Sequence, residues 1–372
     1  MNVLIISPGL YPDIIGGMEI LNYHLIKYLN KNHNISVLTN CSKNIDNVNT
    51  YRIKRIISTK LSYLFRLMYV LYKEKDRTDI IYISYTNNAN WLHWILFPIL
   101  KRIFLMKYLV LICSGRATKW KFPLLFGYFF KNVSYILCFS KVVKDNYTKI
   151  LKKNVFQIKG SADSFITIDH REKEVVRKQY GVSIDSKIIL FFSRFDPIKS
   201  PITIINSIDE LGENFLIKNK LEFWFCGAGT KLNTLKQDIK SKKHIENYVK
   251  IWGLVTEKDK SAIYKMSDIF IQPSLSEATI PATLQEAMKN GIPSISSNIK
   301  QISEQLTDKE NIILFQKKDH KDLSNKLKYL IRNPEKAKKI GKSGKKFFDN
   351  LATKTNVFAD IEKYLEKAAK ES

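Results

Sequence analysis

Cysteine is scarce in this chain of 372 residues, and the cysteines it has are far apart. There are four of them, and no two form a C-x-x-C pair: Cys41, Cys113, Cys138 and Cys226. Three lie inside apolar runs, where a thiol behaves as a small hydrophobic group. The pattern argues against a disulfide framework and against a zinc site built on cysteine.

A long uninterrupted apolar segment is also missing. Residues 91–113 are strongly apolar, but Lys101, Arg102 and Lys107 interrupt them, and a membrane-spanning helix needs about 20 consecutive apolar residues. The N-terminus has neither the basic start nor the cleavage site of a signal peptide, and residues 3–7 predict a first strand instead. We therefore expect a cytoplasmic protein that is soluble or peripheral to the membrane.

Acidic residues are few relative to basic ones. The chain has 61 Lys and Arg against 35 Asp and Glu, for a formal net charge of +26. The shortage of acids is strongest in residues 1–168, which contain 24 basic and 8 acidic side chains. Such a balance favours anionic partners, namely nucleic acid, acidic lipid headgroups or phosphorylated substrates. A solvated basic surface without a partner explains the charge equally well.

Short β-rich apolar runs alternate with segments of helical period, which indicates a parallel α/β architecture. A helix is predicted over residues 18–29, because Leu21, Leu25 and Leu29 recur every four residues. The Lys-rich end, residues 335–372, predicts two amphipathic helices. The predicted strands are 3–7, 35–39, 80–84, 108–113 and 134–139, followed by 188–192, 221–225, 248–251, 269–272, 292–296 and 312–315.

A polar patch at residues 164–187 separates the two series of strands, so the sequence predicts two parallel-sheet domains. We expect the first domain over residues 1–168 and the second over 169–352. The remaining residues, 353–372, are expected to form a helix that packs back toward the first domain.

One candidate site follows the first strand of each predicted domain. Gly16 and Gly17 precede the first helix, where paired glycines let a ligand approach the N–H groups at the positive helix end; an ordinary loop would also explain them. Arg194 and Lys199 follow strand 188–192. Ligands of open α/β sheets bind beyond the carboxyl ends of strands, so these two cations could hold a diphosphate and stabilise its departure. The alternative is two surface bases in a loop.

A third candidate site extends from the strand ending at residue 272 into the next helix. Pro281 suits the first turn of that helix, and Gly291 ends it. The helix N-terminus offers N–H groups to a phosphate or sugar hydroxyl. Glu277 lies in the loop and Glu286 in the helix. The Glu286 carboxylate would suit a ribose diol, although a plain exposed helix residue is the alternative.

In their order and spacing these blocks resemble the retaining glycosyltransferases of family 4, along nearly the whole chain. The matching residues are Pro12, Gly16-Gly17-Met18-Glu19, the Arg194 and Lys199 pair, Gly227-Ala228-Gly229, Gly253, Pro273-Ser274, Glu277, Glu286-Ala287-Met288, Gly291-Ile292-Pro293 and Glu304. The resemblance implies the GT-B fold, an α/β fold of two Rossmann-like parallel-sheet domains facing a central cleft. The first domain would be the acceptor side, and the second would bind the nucleotide sugar.

The resemblance also implies roles for individual residues. Arg194 and Lys199 would bind the donor diphosphate, Glu286 the nucleotide ribose, and Glu277 would lie beside the donor sugar. The remaining donor-binding residues would be Gly16, Gly17, Gly227, Gly229, Thr279, Ile280 and Pro281, and Gly227 and Gly229 would line the base pocket together with residues 251–254. The implied reaction is a front-face displacement with retention, in which Arg194, Lys199 and helix N-termini absorb the charge of the departing phosphate. We expect no metal and no cofactor.

Three positions depart from the family pattern. Eight residues separate Glu277 from Glu286, where the family usually has seven. Ser114-Gly115 stands where many members have His-Gly, and Lys300-Gln301 replaces a usual Gly-Gly before Glu304. These departures affect the region of the donor sugar more than the diphosphate and ribose sites.

The expected partners are a nucleotide sugar, an acceptor saccharide that is lipid-linked, and an anionic membrane surface. Residues 61–73 form an apolar, Tyr-rich helix candidate flanked by Arg52, Lys54, Arg55 and Lys60, a pattern typical of interfacial segments; ordinary core packing is the alternative. The activity we expect is sugar transfer in surface polysaccharide biosynthesis. The alternatives are a GT-B-fold sugar-nucleotide epimerase, an inactive partner subunit, and a basic non-catalytic binding protein. No nucleic-acid-binding module is recognisable, so we expect no nucleic-acid partner.

Overall fold

The structure is a computed structural model that describes residues 1–7, 9–13, 17–39, 41, 45, 48–52, 60–85, 108–112, 133–152, 154–158, 168–354 and 356–370. It divides into two compact units. The first consists of Met1–Ser164 with Thr355–Ser372, and the second of Phe165–Lys354. The domain bounds expected from the sequence, at residues 168 and 352, lie within a few residues of this division.

The first unit is built on seven parallel strands. They are β1 (Asn2–Ile6), β2 (Asn34–Thr39), β3 (Asn49–Arg52), β4 (Ile80–Tyr85), β5 (Tyr108–Ile112), β6 (Tyr135–Cys138) and β7 (Val155–Gln157), with helices α1 (Gly17–Leu29), α2 (Lys60–Glu74) and α3 (Lys141–Leu151). The strand order is β3-β2-β1-β4-β5-β6-β7. Leu4, Ile5, Ile81 and Tyr82 are fully buried in neighbouring strands. Continuous apolar runs of this kind are typical of parallel strands, because both faces of the sheet are covered.

The second unit is built on six parallel strands. They are β8 (Lys187–Phe192), β9 (Leu221–Cys226), β10 (Val249–Gly253), β11 (Ile269–Gln272), β12 (Ser294–Ser297) and β13 (Ile313–Phe315), in the order β10-β9-β8-β11-β12-β13. Its helices are α4 (Lys173–Gln179), α5 (Pro201–Leu211), α6 (Glu213–Lys218), α7 (Leu232–Ser241), α8 (Lys243–Glu246), α9 (Glu257–Met266), α10 (Ala282–Lys289), α11 (Lys300–Ser303), α12 (His320–Arg332) and α13 (Pro334–Lys354). The strand order reverses between β8 and β11, which is where open α/β sheets bind ligands.

Helices cover both faces of this second sheet. Ile189 and Phe191 of β8 join one buried apolar cluster. Ile188 and Leu190, which alternate with them, join a second cluster that includes Leu284 of α10. The sheet therefore holds a core on each side, and it fixes the loops that leave its carboxyl edge.

A buried arginine fastens α4 to the amino edge of the same sheet. Arg177 is only 3% exposed, and its guanidinium donates to the backbone carbonyls of Met266, Ser183, Ile184 and Ser186 at 2.7–3.2 Å. It also donates to the Asp268 carboxylate at 2.7 Å. The network thus ties α4 to the segments that lead into β8 and β11.

The last helix, α14 (Val357–Lys370), packs on the first unit. Glu362 accepts a hydrogen bond from the Tyr28 hydroxyl at 3.0 Å and lies 2.7 Å from Nε2 of His33. The Tyr364 ring packs against the rings of Tyr135 and Phe156 in a tilted arrangement, with centroids 5.4 and 5.3 Å away. These polar and aromatic contacts anchor the end of the chain to β6, β7 and α1.

No helix in the described part of the chain is both long and apolar enough to cross a bilayer. Much of the apolar segment 91–113, including Lys101, Arg102 and Lys107, lies outside the described residues. Cys41, Cys138 and Cys226 are buried free thiols, whereas Cys113 is outside the description. Burial raises the pKa of the Cys226 thiol, as expected for a cysteine used as a small hydrophobic group.

Candidate donor site of the second unit

Residues that follow β8 and β11 meet at the point where the strand order reverses. The Nζ atom of Lys199, beyond β8, lies 2.5 Å from Oε1 of Glu277, beyond β11. Their side chains are 15% and 12% exposed, so the pair is largely shielded from water. The sequence placed both residues after strands, and the fold brings them into direct contact.

Backbone geometry fixes the position of Lys199. After β8 the chain forms a single 3₁₀ turn over Pro197–Lys199, and Ser200 takes a left-handed conformation before Pro201 begins α5. The Leu275 amide donates to the Ile198 carbonyl at 2.8 Å, which joins the loops after β8 and β11. Lys199 is therefore held by its own turn and by the neighbouring loop.

Arg194, in contrast, is mostly exposed. Its guanidinium lies 3.2 Å from the Asp196 carboxylate. Exposed ion pairs of this kind contribute about 0–1 kcal/mol, so little energy holds Arg194 in this orientation. The loop after β8 thus carries one cation that is shielded and held in place, Lys199, and one that is exposed and weakly held, Arg194.

Gly227 and Gly229 bring the loop after β9 against the loop that carries Arg194. A Cβ atom at Gly227 would lie 2.0 Å from the Ser193 carbonyl oxygen, and one at Gly229 would lie 2.6 Å from the Phe195 nitrogen. The Phe195 amide donates to the Ala228 carbonyl at 3.0 Å. The sequence assigned these glycines to the base pocket, and it missed this backbone packing.

Replacing Gly227 by Ala is expected to lower the free energy of unfolding by about 3 kcal/mol, because a methyl group must displace backbone at a strained φ of 130°. Gly181→Ala is the matched control. Gly181 also has a positive φ, of 65°, but nothing lies within 4 Å of its added Cβ, so it should cost only about 1–2 kcal/mol. Urea unfolding measures both, and equal losses would contradict the packing role.

Glu286 is buried and not an exposed helix residue. Its carboxylate accepts from the Lys260 ammonium at 2.5 Å and from the Tyr264 hydroxyl at 2.7 Å. Lys260 and Tyr264 both belong to α9 and were missed by the sequence reasoning. Their spacing of four residues, which places side chains on one helix face, was the available signal.

The loop before α10 contains the other predicted donor-binding residues. Pro281 is the residue before the first helical position, one place earlier than predicted. The Ile280 side chain is buried in the core cluster, and its carbonyl accepts from the Gln285 side chain at 2.9 Å. Thr279 and Pro281 are half-buried. Any contact of Ile280 with a ligand would therefore come from its backbone.

Several predicted positions belong to other parts of the chain. Gly17 begins α1, and Gly16, Ser114 and Gly115 lie outside the described residues. Lys300 and Gln301, which replace a usual Gly-Gly, begin the short helix α11. The structure therefore brings Lys199 and Glu277 into contact in the loops after β8 and β11, with Arg194 in the same loop as Lys199. It places Glu286 in contact with α9.

Comparison with known proteins identifies the family that the second unit matches. Residues 172–347 match the family described as glycosyl transferases group 1. The alpha-monoglucosyldiacylglycerol synthase of Streptococcus pneumoniae is 23% identical over 274 residues, which are 72% of this chain and 57% of the synthase. An uncharacterized glycosyltransferase of Methanocaldococcus jannaschii is 24% identical over 356 residues, 92% of each protein.

A solved structure supports the fold. Anabaena HepE, in a complex with UDP and glucose, superposes with a TM-score of 0.78 and 14% identity over all of both chains. This likeness confirms the predicted fold class, and the sequence matches confirm the predicted enzyme class. Residues 172–347 form a glycosyl transferases group 1 domain, and the protein is a glycosyltransferase of the GT-B fold.

Proposed function

We propose that the protein is a retaining, metal-independent hexosyltransferase of family 4. It moves a sugar from a nucleotide-diphosphate donor to a hydroxyl of a lipid-linked saccharide in surface polysaccharide biosynthesis. The observation that carries the proposal is the shielded contact of Lys199 with Glu277 at the switch point of the second sheet. Ligands of open α/β sheets bind at such points, and a fixed cation there suits a diphosphate.

In the proposed reaction the bond between the anomeric carbon and the diphosphate oxygen breaks, and its electrons go to that oxygen. The acceptor oxygen bonds the anomeric carbon on the same face, and its proton passes to the departing phosphate. Lys199 and Arg194 stabilise the negative charge that grows on the diphosphate. A fixed cation in a shielded site does this without reorganisation, and it supplies the charge that a metal ion supplies elsewhere.

Further roles follow for the remaining residues. Glu286 accepts hydrogen bonds from the ribose hydroxyls, and Glu277 orients Lys199 beside the donor sugar. Gly227 and Gly229 let the nucleotide approach the backbone, together with Thr279, Ile280 and Pro281 before α10. Gly16 and Gly17 complete the proposed set of donor-binding residues. The UDP-bound relative HepE supports a nucleotide sugar as the donor.

A panel of nucleotide sugars tests the donor site directly. A ligand at 100 times its Kd adds about 2.7 kcal/mol of stability, so the correct donor should raise the melting temperature where mismatched ones do not. Release of the nucleoside diphosphate is then followed with and without a lipid-linked acceptor. Release that requires the acceptor supports transfer, whereas equal release without it would favour an epimerase.

The exposed surface of helix α2 supports the proposal that the acceptor is bound to a membrane. Its exposed side chains include Phe65, Tyr69 and Tyr72, which are 68%, 51% and 64% exposed and share one helix face. Leu67 and Val70 are buried. We call these three aromatic residues the α2 stripe. The similarity to a synthase named for a diacylglycerol product also supports a lipid-linked acceptor.

Cations accompany the α2 stripe. The Arg66 guanidinium lies 5.1 Å from the centre of the Tyr69 ring, and the Lys75 ammonium lies 4.9 Å from that of Tyr72. Aromatic rings interleaved with cations suit the headgroup region of an anionic membrane. We propose that the α2 stripe docks on the cytoplasmic face of such a membrane. Lys54 and Arg55, also expected at this surface, lie outside the described residues.

The protein is expected to sediment with phosphatidylglycerol vesicles at low salt, to be released at high salt, and to ignore phosphatidylcholine vesicles. Changing Phe65, Tyr69 and Tyr72 to Ser should weaken vesicle binding about tenfold or more, because three apolar groups no longer leave water. The matched control is Ile184→Ser with Ile217→Ser, which removes exposed apolar groups of the second unit. Equal loss in both variants, or equal binding to neutral vesicles, would contradict the docking role.

A further inference from the structure

Two side chains of α9 contact the Glu286 carboxylate, one at each oxygen. The Lys260 ammonium lies 2.5 Å from Oε1, and the Tyr264 hydroxyl lies 2.7 Å from Oε2. The Glu286 side chain is 5% exposed and that of Lys260 is 16% exposed. A contact to each oxygen defines the plane of the carboxylate, so α9 determines how Glu286 is oriented on α10.

Tyr264 is itself held in place. Its ring stacks on Phe192 with a centroid separation of 5.6 Å and an interplanar angle of 18°, and its hydroxyl oxygen also lies 3.1 Å from the Thr283 carbonyl oxygen. Phe192 is the last residue of β8, two residues before Arg194. Through Tyr264 and Phe192, the orientation of Glu286 therefore depends on β8, the strand that leads into the loop with Arg194 and Lys199.

The charge of Glu286 also depends on α9. An ionised carboxylate that leaves water without a partner is costly, and a close cation offsets that cost. The Lys260 ammonium is such a cation. An ionised carboxylate has about four lone-pair sites, so the two bonds from α9 are compatible with acceptance of two further bonds from a diol.

From this geometry we infer that Lys260 and Tyr264 are positioning residues that hold Glu286 ionised and oriented, and that they thereby make the site select nucleotides with an intact ribose diol. The inference rests on the proposed function, in which Glu286 receives the ribose. A site built to hydrogen-bond a hydroxyl discriminates strongly against the analogue that lacks it. The signature of this role is the ratio of affinities for a ribonucleotide and its dideoxy counterpart.

The experiment uses the full-length protein and calorimetry. UDP, GDP and ADP are titrated first, and the tightest of them is then compared with its 2′,3′-dideoxy analogue. The variants are Lys260→Met, Tyr264→Phe and Lys260→Arg. Tyr264→Phe removes only a hydroxyl and should fold. Lys265→Met is the matched control, since Lys265 is a partly buried lysine of the same helix.

The wild-type protein should prefer the ribonucleotide by about tenfold or more, the value of one hydrogen bond to a charged group. Lys260→Met and Tyr264→Phe should reduce this preference below about threefold by weakening ribonucleotide binding alone. Lys260→Arg should retain most of it, and Lys265→Met all of it. In a Glu286→Ala background, Lys260→Met should have no further effect, because residues that act through one another are not additive.

An unchanged preference in Lys260→Met and Tyr264→Phe would overturn the inference. Equal weakening of both ligands would overturn it too, since Lys260 would then act on the phosphates or on the fold. If the wild-type protein bound none of the three diphosphates, the proposed function itself would fail, and this inference with it. Binding by the wild-type protein therefore separates a failure of the proposed function from a failure of this inference.

Discussion

Replacing Lys199 by Met is expected to lower turnover by about 10²–10³-fold, whereas the affinity for the donor changes much less. Negative charge grows on the diphosphate as the glycosidic bond breaks, so a cation aimed at it contributes more in the transition state than in the ground state. Lys199 is shielded from water, which strengthens its interaction with that charge. Nucleotide release gives turnover, and calorimetry with the nucleoside diphosphate gives affinity.

The Lys199 substitution leaves the Glu277 carboxylate without its ion-pair partner, so a second variant separates the two effects. Lys199→Met with Glu277→Gln removes both charges, and we expect the same loss of turnover with less loss of stability. Lys231→Met is the control, since Lys231 is an exposed lysine of the neighbouring loop after β9. Turnover of the Lys199 variants within threefold of the parent would contradict the proposed role.

Arg177→Ala is expected to lower the free energy of unfolding by about 3–5 kcal/mol, as removal of one partner from a buried charged network usually does. The substitution leaves the Met266, Ser183, Ile184 and Ser186 carbonyls without this donor. The bonds to Met266 and Ser186 are buried, and unsatisfied buried acceptors carry their full cost of desolvation. The loss lies at the amino edge of the second sheet, opposite the donor site, so the folded fraction should still bind the nucleotide.

The control for Arg177 is Lys173→Ala. Lys173 also pairs with Asp268, at 2.6 Å, but its side chain is partly exposed, so its loss should cost only about 1 kcal/mol. Urea denaturation of both variants measures the difference. Similar stabilities for Arg177→Ala and Lys173→Ala would contradict the structural role of the arginine network.

The strands that the sequence predicted well are those buried on both faces. Residues 188–192 and 269–272 were predicted from continuous apolar runs, and they form β8 and β11. The strands β3 (Asn49–Arg52) and β7 (Val155–Gln157) were missed. Both are short edge strands of the first sheet, and β3 is polar, so neither produces the apolar run that reveals a buried strand.

The candidate site was predictable where the sequence places residues after strands. Lys199 and Glu277 both follow strands of one sheet, and parallel strands end at a common edge, so their proximity follows from the order of the strands. The contacts of Glu286 with Lys260 and Tyr264 depend instead on how α9 packs against α10, and no local pattern specifies that packing. The close approach of Gly227 to Ser193 likewise appears only when two loops are folded together.

The anomeric configuration of the product tests the central proposal most directly. The purified protein is incubated with the nucleotide sugar selected by thermal shift and with a lipid-linked acceptor, and the product is examined by NMR. We expect a new glycoside with the anomeric configuration of the donor, formed in proportion to the nucleoside diphosphate released and without added metal ions. An inverted glycoside, or free sugar in place of a glycoside, would contradict the proposal of retaining transfer.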